Sequence, residues 1–376
     1  MPPTQSIGTP VREIETPALI VDLDVMEENL ALMAKRLEGT GVRLRAHAKT
    51  HKSPWLARKQ MALGAVGVCC QKVSEAEVMV EGGVENVLVS SEVTAVSKLK
   101  RLAALARHTK LMVVVDHPQG VAMLAEAVTA AGAEIGVLVD VDVGQGRCGV
   151  APGETAAELA RRVDAAKGLE LKGIQAYQGG AQHVDGFTER RAVYADAIAR
   201  MRETVEAFGA AGLPLEIRSG GGTGSWRWDA ESGVLNELQA GSYLFMDSHY
   251  GSIGGKNSDT YDDFRPSLFV LTTVVSAPGP GHVVMDAGHK ALSSDSGLAP
   301  CLELEGAVHA RASDEHGVLE LSPASRRPEI GETLLFQPSH CDPTINLYDV
   351  YHGVRGGMEE GVLEAVIPVA ARGCVW

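Results

Sequence analysis

Residues 42–52 read Val42-Arg43-Leu44-Arg45-Ala46-His47-Ala48-Lys49-Thr50-His51-Lys52. Val42, Leu44, Ala46 and Ala48 alternate with Arg43, Arg45, His47 and Lys49, a two-residue period that sends the apolar set to one face of a strand and the cations to the other. Lys49 closes that strand, and Lys52 lies in the loop beyond it. A lysine held partly desolvated at a strand end, beside other cations, has its ammonium form disfavoured and becomes an amine nucleophile suited to Schiff-base chemistry. The hexapeptide His47 to Lys52 also reads as a basic edge strand with solvated side chains, and the stretch by itself leaves both readings open.

Outward from this strand the chain keeps a beat. Thr16 to Leu23 is a short apolar strand, and Asp24 with Glu27 predicts a capping-box start to a helix that carries Met26, Leu30, Met33 and Leu37 at helical spacing. Further on, helical patterns over 54–63, 94–107, 118–131, 154–166 and 186–211, and one capped by Ser74 with Glu77, alternate with apolar strands over 66–70, 86–90, 111–115, 135–141, 172–177, 215–219 and 237–245. Counted from Leu44 this makes eight strands, nearly all separated by helices. That alternation specifies parallel strands with helices outside, and eight units is the number that closes a (β/α)8 barrel, with an open doubly wound sheet as the competing architecture.

After Asp247 the texture changes to glycine-rich and polar, and short strands follow over 267–276, 282–286, 302–310, 318–321, 333–337, 350–354 and 362–369. The expected organisation is an α/β barrel over 24–254, and an antiparallel all-β domain formed by 1–23 and 255–376.

Composition narrows the function classes. The chain has 376 residues, 45% of them hydrophobic, and 34 basic against 48 acidic residues, a net charge of -14 spread along the sequence. Nucleic-acid and anionic-membrane partners need a basic surface and are not expected. No apolar run reaches a spanning length, and the first residues lack the charged and apolar regions of a signal peptide, so a cytoplasmic location is expected. The six cysteines include no Cys-x-x-Cys pair, which fits free thiols in a reducing compartment.

Functional groups of a parallel barrel gather at the carboxyl ends of its strands. Lys49 closes the first. Asp142-Val143-Gly144-Gln145-Gly146-Arg147-Cys148-Gly149 follows the fifth, and its glycines let the backbone turn sharply and bring Arg147 over the mouth. Tyr177 follows the sixth, with His183 shortly after. Gly220-Gly221-Gly222-Thr223-Gly224-Ser225 follows the seventh, and Gly241-Ser242 lies on the eighth. Gly221, Gly222 and Thr223, with Gly241 and Ser242 on the adjacent strand, make a cup of backbone N–H groups of the kind that binds phosphate. With a nucleophilic lysine, an arginine and a tyrosine on the same rim, the set suits pyridoxal 5′-phosphate. In the β domain, Ser339-His340-Cys341-Asp342-Pro343-Thr344 puts His340 and Asp342 on one side of an extended segment, a pair suited to Mn²⁺ or Mg²⁺, or simply a turn before a proline.

These motifs, together with Cys69-Cys70-Gln71-Lys72-Val73-Ser74-Glu75-Ala76, Gln175-Ala176-Tyr177, Glu237-Leu238-Gln239-Ala240-Gly241-Ser242-Tyr243 and Asp314-Glu315-His316-Gly317, carry a resemblance. From Thr16-Pro17 to Ala371-Arg372-Gly373 the chain resembles the bacterial D-threonine aldolases and 3-hydroxy-D-aspartate aldolases, within the alanine-racemase-like pyridoxal-phosphate enzymes. The resemblance implies roles residue by residue. Lys49 is the Schiff-base lysine, Arg147 the group near the cofactor O3′, Tyr177 the residue against its ring, and the glycine loop with Gly241 and Ser242 the phosphate site. His340 and Asp342 are the metal ligands, and His183 assists at the substrate β-hydroxyl. Gln239 stands where alanine racemases place an arginine against the ring nitrogen, which leaves the protonation of that nitrogen open.

The implied reaction is retro-aldol cleavage of a D-β-hydroxy-α-amino acid to glycine and an aldehyde, by a homodimer. A metal-dependent D-serine or D-3-hydroxyaspartate dehydratase is the nearest rival, disfavoured because those enzymes tend to carry His-x-Cys where this chain has His340-x-Asp342. A racemase, or a non-catalytic cofactor-binding protein of the same barrel fold, is a more distant alternative.

Overall fold

In a computed structural model describing residues 5–376, the chain divides into two compact units. One comprises the residues up to 32 with 50–52 and 242–372, the other residues 33–49, 53–241 and 373–376. The strands in chain order are β1 (Ala18–Asp22), β2 (Arg43–His47), β3 (Gly67–Cys70), β4 (Asn86–Val89), β5 (Lys110–Val115), β6 (Ile135–Asp140), β7 (Leu169–Ala176), β8 (Ile217–Gly220), β9 (Glu237–Leu238), β10 (Leu268–Gly279), β11 (His282–Met285), β12 (Val308–Ala312), β13 (Gly317–Glu320), β14 (Thr333–Phe336), β15 (Val350–Arg355) and β16 (Val362–Pro368).

Strands β2 to β9 close into a parallel barrel, with β9 pairing both β8 and β2 to complete the ring. The open doubly wound alternative is excluded. Inside the barrel Cys69, Leu88, Met112, Val114, Leu138 and Ile217 form a buried apolar cluster, the packed interior expected of eight tilted strands. Helices Pro54–Ala62, Val73–Glu81, Val96–Leu105, Pro118–Ala131, Glu154–Asp164 and Phe187–Ala210 alternate with the strands.

The structure corrects the reading of the opening stretch. β2 stops at His47, and Ala48–His51 forms one helical turn, so Lys49 rides on that turn and not on the strand. The imidazole is the physical cause of the break: His47 Nδ1 accepts the Lys49 amide at 3.3 Å, which bends the chain out of the ladder. Of the cationic face, Arg45 and His47 are buried while Arg43 is exposed. Arg45 is buried within the barrel, where Nε and Nη2 meet the two carboxylate oxygens of Glu237 at 2.6 and 2.8 Å and Nη1 meets Asn86 Oδ1 at 3.0 Å.

Two helix caps also differ from the sequence expectation. Asp22 Oδ1 accepts the amides of Asp24 and Val25 at 3.0 and 3.1 Å and caps helix Leu23–Leu37, because it is the carboxylate that precedes the first unpaired amides. Asp24 and Glu27 instead both hold Arg355 Nη1 at 2.8 Å. At helix Val73–Glu81 the acceptor is Glu75, whose Oε2 takes the amides of Gln71 and Lys72 at 2.9 and 3.1 Å. The strand expected over 237–245 shrinks to Glu237–Leu238, followed by a 3-10 turn over Ser242–Leu244. Tyr243, Leu244 and Phe245 are buried in that turned chain, and an apolar run alone does not separate a buried turn from a strand.

The other unit is an eight-stranded sheet in the order β12-β13-β11-β10-β1-β15-β16, with β14 pairing β10. Every pair is antiparallel except β1 with β15. Its core packs Val11, Ile14, Ile20, Phe269, Leu271, Leu335, Val354 and Leu363. The strand expected over 302–310 is confined to β12, with turns before it. All six cysteines are unpaired with one another, and among the described residues no helix is long and apolar enough to cross a membrane.

Candidate active site at the barrel mouth

The loops after the barrel strands hold most of the residues singled out in the sequence. Lys49, half-buried, is the second residue of the helical turn that follows β2. Beside it, His47 N donates to Ala240 O at 3.2 Å, so the last strand's extension runs alongside the end of β2.

The loop after β6 is built on Asp142. Its Oδ1 accepts the amides of Gly144 and Gly146 at 2.9 and 3.1 Å, and although burial opposes ionisation, the amides of Gly146, Gly144 and Gln145 hold its carboxyl below the usual range. Gly144 requires glycine, at φ 113°. Arg147 emerges from this turn with its guanidinium 5.8 Å from the Tyr177 ring centroid, a cation–π contact that ties the loop after β6 to the one after β7. Gln145 Oε1 reinforces the link by accepting the Gly179 amide at 3.3 Å. His183 ends the 3-10 turn Gly180–His183 on the same rim.

The glycine loop after β8 is packed tightly from behind. A Cβ on Gly220 would lie 2.0 Å from Ala176 O, and one on Gly221, at φ 69°, would strike the Asp229 carboxylate at 2.2 Å. The Gly222 amide turns inward to Ser225 Oγ at 3.1 Å and Asp229 Oδ2 at 3.4 Å, and the Gly224 amide to Gln182 Oε1 at 2.8 Å. Gln182 Nε2 in turn donates to Ser225 Oγ at 2.9 Å and Tyr194 Oη at 3.1 Å. Burial lifts Asp229 to about 7, with Ser225 and the Gly222 amide pulling the other way. Thr223 is buried in the loop, and Gly241 follows the end of β9.

A layer of polar side chains lies just inside the mouth. His47 Nε2 is 3.1 Å from Gln71 Nε2 and 3.4 Å from Ser90 Oγ. Gln175 Nε2 donates to Asp140 Oδ1 at 3.0 Å, and Gln239 Nε2 donates to Gln175 Oε1 at 3.1 Å and Ser219 Oγ at 3.0 Å. Of these only Gln239 carries a role expected from the sequence, although His47, Gln71 and Gln175 stand in its motifs. The missed signal is positional: Asp140, Gln175, Ser219 and Glu237 each lie two residues before a residue already noted, which puts polar groups on inward-facing positions of otherwise apolar strands.

In the sheet unit, His340 is extended and Cys341–Ile345 is a short helix, so Asp342 lies on a helical turn instead of the extended segment expected. Cys341 is buried, with its amide bonded to Asp247 Oδ2 at 3.0 Å. His340 Nδ1 lies 2.7 Å from Asp295 Oδ2, an orienting partner not foreseen from sequence. That contact engages Nδ1 and leaves Nε2 as the other nitrogen of the imidazole.

Among the described residues, three potential metal ligands meet at one place, Glu92, Asp116 and Cys148 in the barrel unit. Burial, followed by the charge of Glu92, lifts the Cys148 thiol to about 11.

The closed parallel barrel with this mouth defines an alanine-racemase-like enzyme. Residues 21–249 match the alanine racemase N-terminal domain family, and residues 267–354 the serine dehydratase domain family. The structure is similar to that of D-threonine aldolase from Filomicrobium marinum, with a TM-score of 0.96 and 47% identity, covering 99% of this chain and 100% of that one. The sequence is 45% identical to 3-hydroxy-D-aspartate aldolase of Paracoccus denitrificans (strain Pd 1222), over 97% of this chain and 94% of that protein. It is 41% identical to D-threonine aldolase of an Arthrobacter species, over 99% and 97%. The chain belongs to the family of D-threonine aldolases and 3-hydroxy-D-aspartate aldolases, and it is an aldolase-type lyase.

Proposed function

We propose that the protein cleaves D-β-hydroxy-α-amino acids of the D-threonine type to glycine and an aldehyde, using pyridoxal 5′-phosphate and a divalent cation, Mn²⁺ or Mg²⁺, and that it works as a homodimer. The observation that carries this reading is the mouth itself: a lysine on the turn after β2 shares a rim with the Arg147–Tyr177 pair and a glycine loop backed by Gln182 and Asp229. Those groups fit the cofactor. Lys49 would hold it covalently, Arg147 would serve O3′, Tyr177 would lie against the ring, and Gln239 would face the ring nitrogen. Gly221, Gly222, Thr223, Gly241 and Ser242 would form the phosphate site, with the Gly222 contribution one of space more than donation, since its amide is bonded inward. Bound pyridoxal phosphate supplies the electron sink for the bond that breaks.

His183 would take the β-hydroxyl proton on an imidazole nitrogen. His340, oriented by Asp295, and Asp342 would hold the cation, whose Lewis acidity lowers the pKa of that hydroxyl. The match of residues 267–354 to a serine dehydratase domain family favours one second reading, loss of the β-hydroxyl as water. Exhaustive dialysis against a chelator tests the proposal: aldehyde release from D-threonine stops, the cofactor's colour remains, and added Mn²⁺ restores turnover. Full activity after dialysis contradicts the metal role, and keto acid with ammonia in place of aldehyde favours the dehydratase.

A further inference from the structure

The polar layer inside the barrel mouth has a direction. Gln175 Nε2 carries two hydrogens and spends them on two acceptors, Asp140 Oδ1 at 3.0 Å and the main-chain oxygen of Ser90 at 3.5 Å. A main-chain carbonyl only accepts, so the nitrogen of Gln175 must face that side whatever the charge on Asp140. Its oxygen therefore faces β9, where it accepts from Gln239 Nε2 at 3.1 Å. The second hydrogen of Gln239 goes to Ser219 Oγ at 3.0 Å. Flipping the Gln239 amide would set two carbonyl oxygens against each other, and the chain forbids it.

Both N–H groups of Gln239 are thus consumed, and Oε1 is what remains. Among the described residues it accepts no hydrogen bond, and it belongs to a residue that keeps 5% of its surface exposed. An oxygen offered there can pair only with a donor. On pyridoxal phosphate the phosphate is an acceptor and O3′ is an acceptor once the imine forms. The imine N–H is taken by O3′, so the ring nitrogen is the cofactor atom left to donate to Gln239, and only when protonated.

We propose that Asp140, Gln175 and Ser219 are positioning residues that present Gln239 to the bound cofactor as a hydrogen-bond acceptor, so that the pyridine nitrogen carries a proton in this enzyme. The inference rests on the pyridoxal-phosphate reading above. It gives the enzyme a stronger electron sink than an unprotonated ring would be, through a neutral amide oriented by three side chains that touch neither substrate nor reacting atoms.

The test loads the full-length protein with pyridoxal phosphate labelled with ¹⁵N in the ring and records the nitrogen resonance. Wild type and Gln239→Glu give the signal of a protonated pyridine. Gln239→Leu, and the double variant Gln175→Leu with Ser219→Ala, which keeps Gln239 but removes both of its acceptors, lose it. As a second measurement, wild type binds pyridoxal phosphate more tightly than its 1-deaza analogue by about 3- to 10-fold, the worth of one hydrogen bond, and Gln239→Leu abolishes the preference. An unprotonated nitrogen in the loaded wild type, or a double variant whose signal is unchanged, overturns this inference and leaves the proposed function standing. Failure of the protein to take up the cofactor overturns both.

Discussion

Arg45 and Glu237 form a bidentate ion pair inside the barrel, at 2.6 and 2.8 Å, with side chains only 1% and 2% exposed. It links β2 to β9, the pair of strands that closes the ring. Breaking such a pair from one side strands a buried charge. Glu237→Ala is therefore expected to destabilise the barrel unit by about 3–5 kcal/mol. Denaturant unfolding measures this, and a loss below about 1 kcal/mol would show that the pair is not what holds the closure.

The two lysines of the opening stretch separate by position. Lys49 sits on the helical turn at the end of β2, while Lys52 is buried at a left-handed backbone position, φ 50°, with its carbonyl accepting the Ala371 amide at 2.9 Å. Lys49→Ala should abolish the visible absorbance of the bound cofactor, and Lys52→Ala should keep it. The reverse pattern in a spectrum of the two purified variants would move the anchor to Lys52.

Asp229 makes stability depend on pH. Burial lifts its carboxyl to about 7 in the folded chain, while the unfolded chain ionises near the ordinary value of 3.8. Between roughly pH 4 and 7 the folded state holds the extra proton, so this residue's contribution falls as pH rises, by up to about 4 kcal/mol once both states are ionised. Asp229→Asn removes the term and keeps an acceptor for Ser225. Denaturation midpoints should show the variant gaining on wild type from pH 5 to pH 8, and parallel pH profiles would rule out Asp229 as the cause.

The barrel was legible because its beat is regular. Each strand from 66 to 141 is a short apolar run and each helix a 3.6-residue pattern, so their order, the closed ring and the loops that carry Arg147, Tyr177 and the glycines followed from spacing. Local chemistry was harder to read where two side chains compete for one backbone. His47 ends its strand early by taking the Lys49 amide, and Asp22 and Glu75 win the helix caps expected of neighbouring residues. The long-range pairings were not legible at all. Asp140 to Gln175 to Gln239, and His340 to Asp295, join residues dozens of positions apart, and nothing in a single sequence marks which polar residue meets which.

Product analysis of ¹³C-labelled threonine tests the central claim most directly. With pyridoxal phosphate and Mn²⁺ present, the protein should convert D-threonine to glycine and acetaldehyde in equal amounts and leave L-threonine untouched. Formation of 2-oxobutanoate and ammonia, or recovery of D-threonine unchanged by protein that carries its cofactor on Lys49, would contradict it.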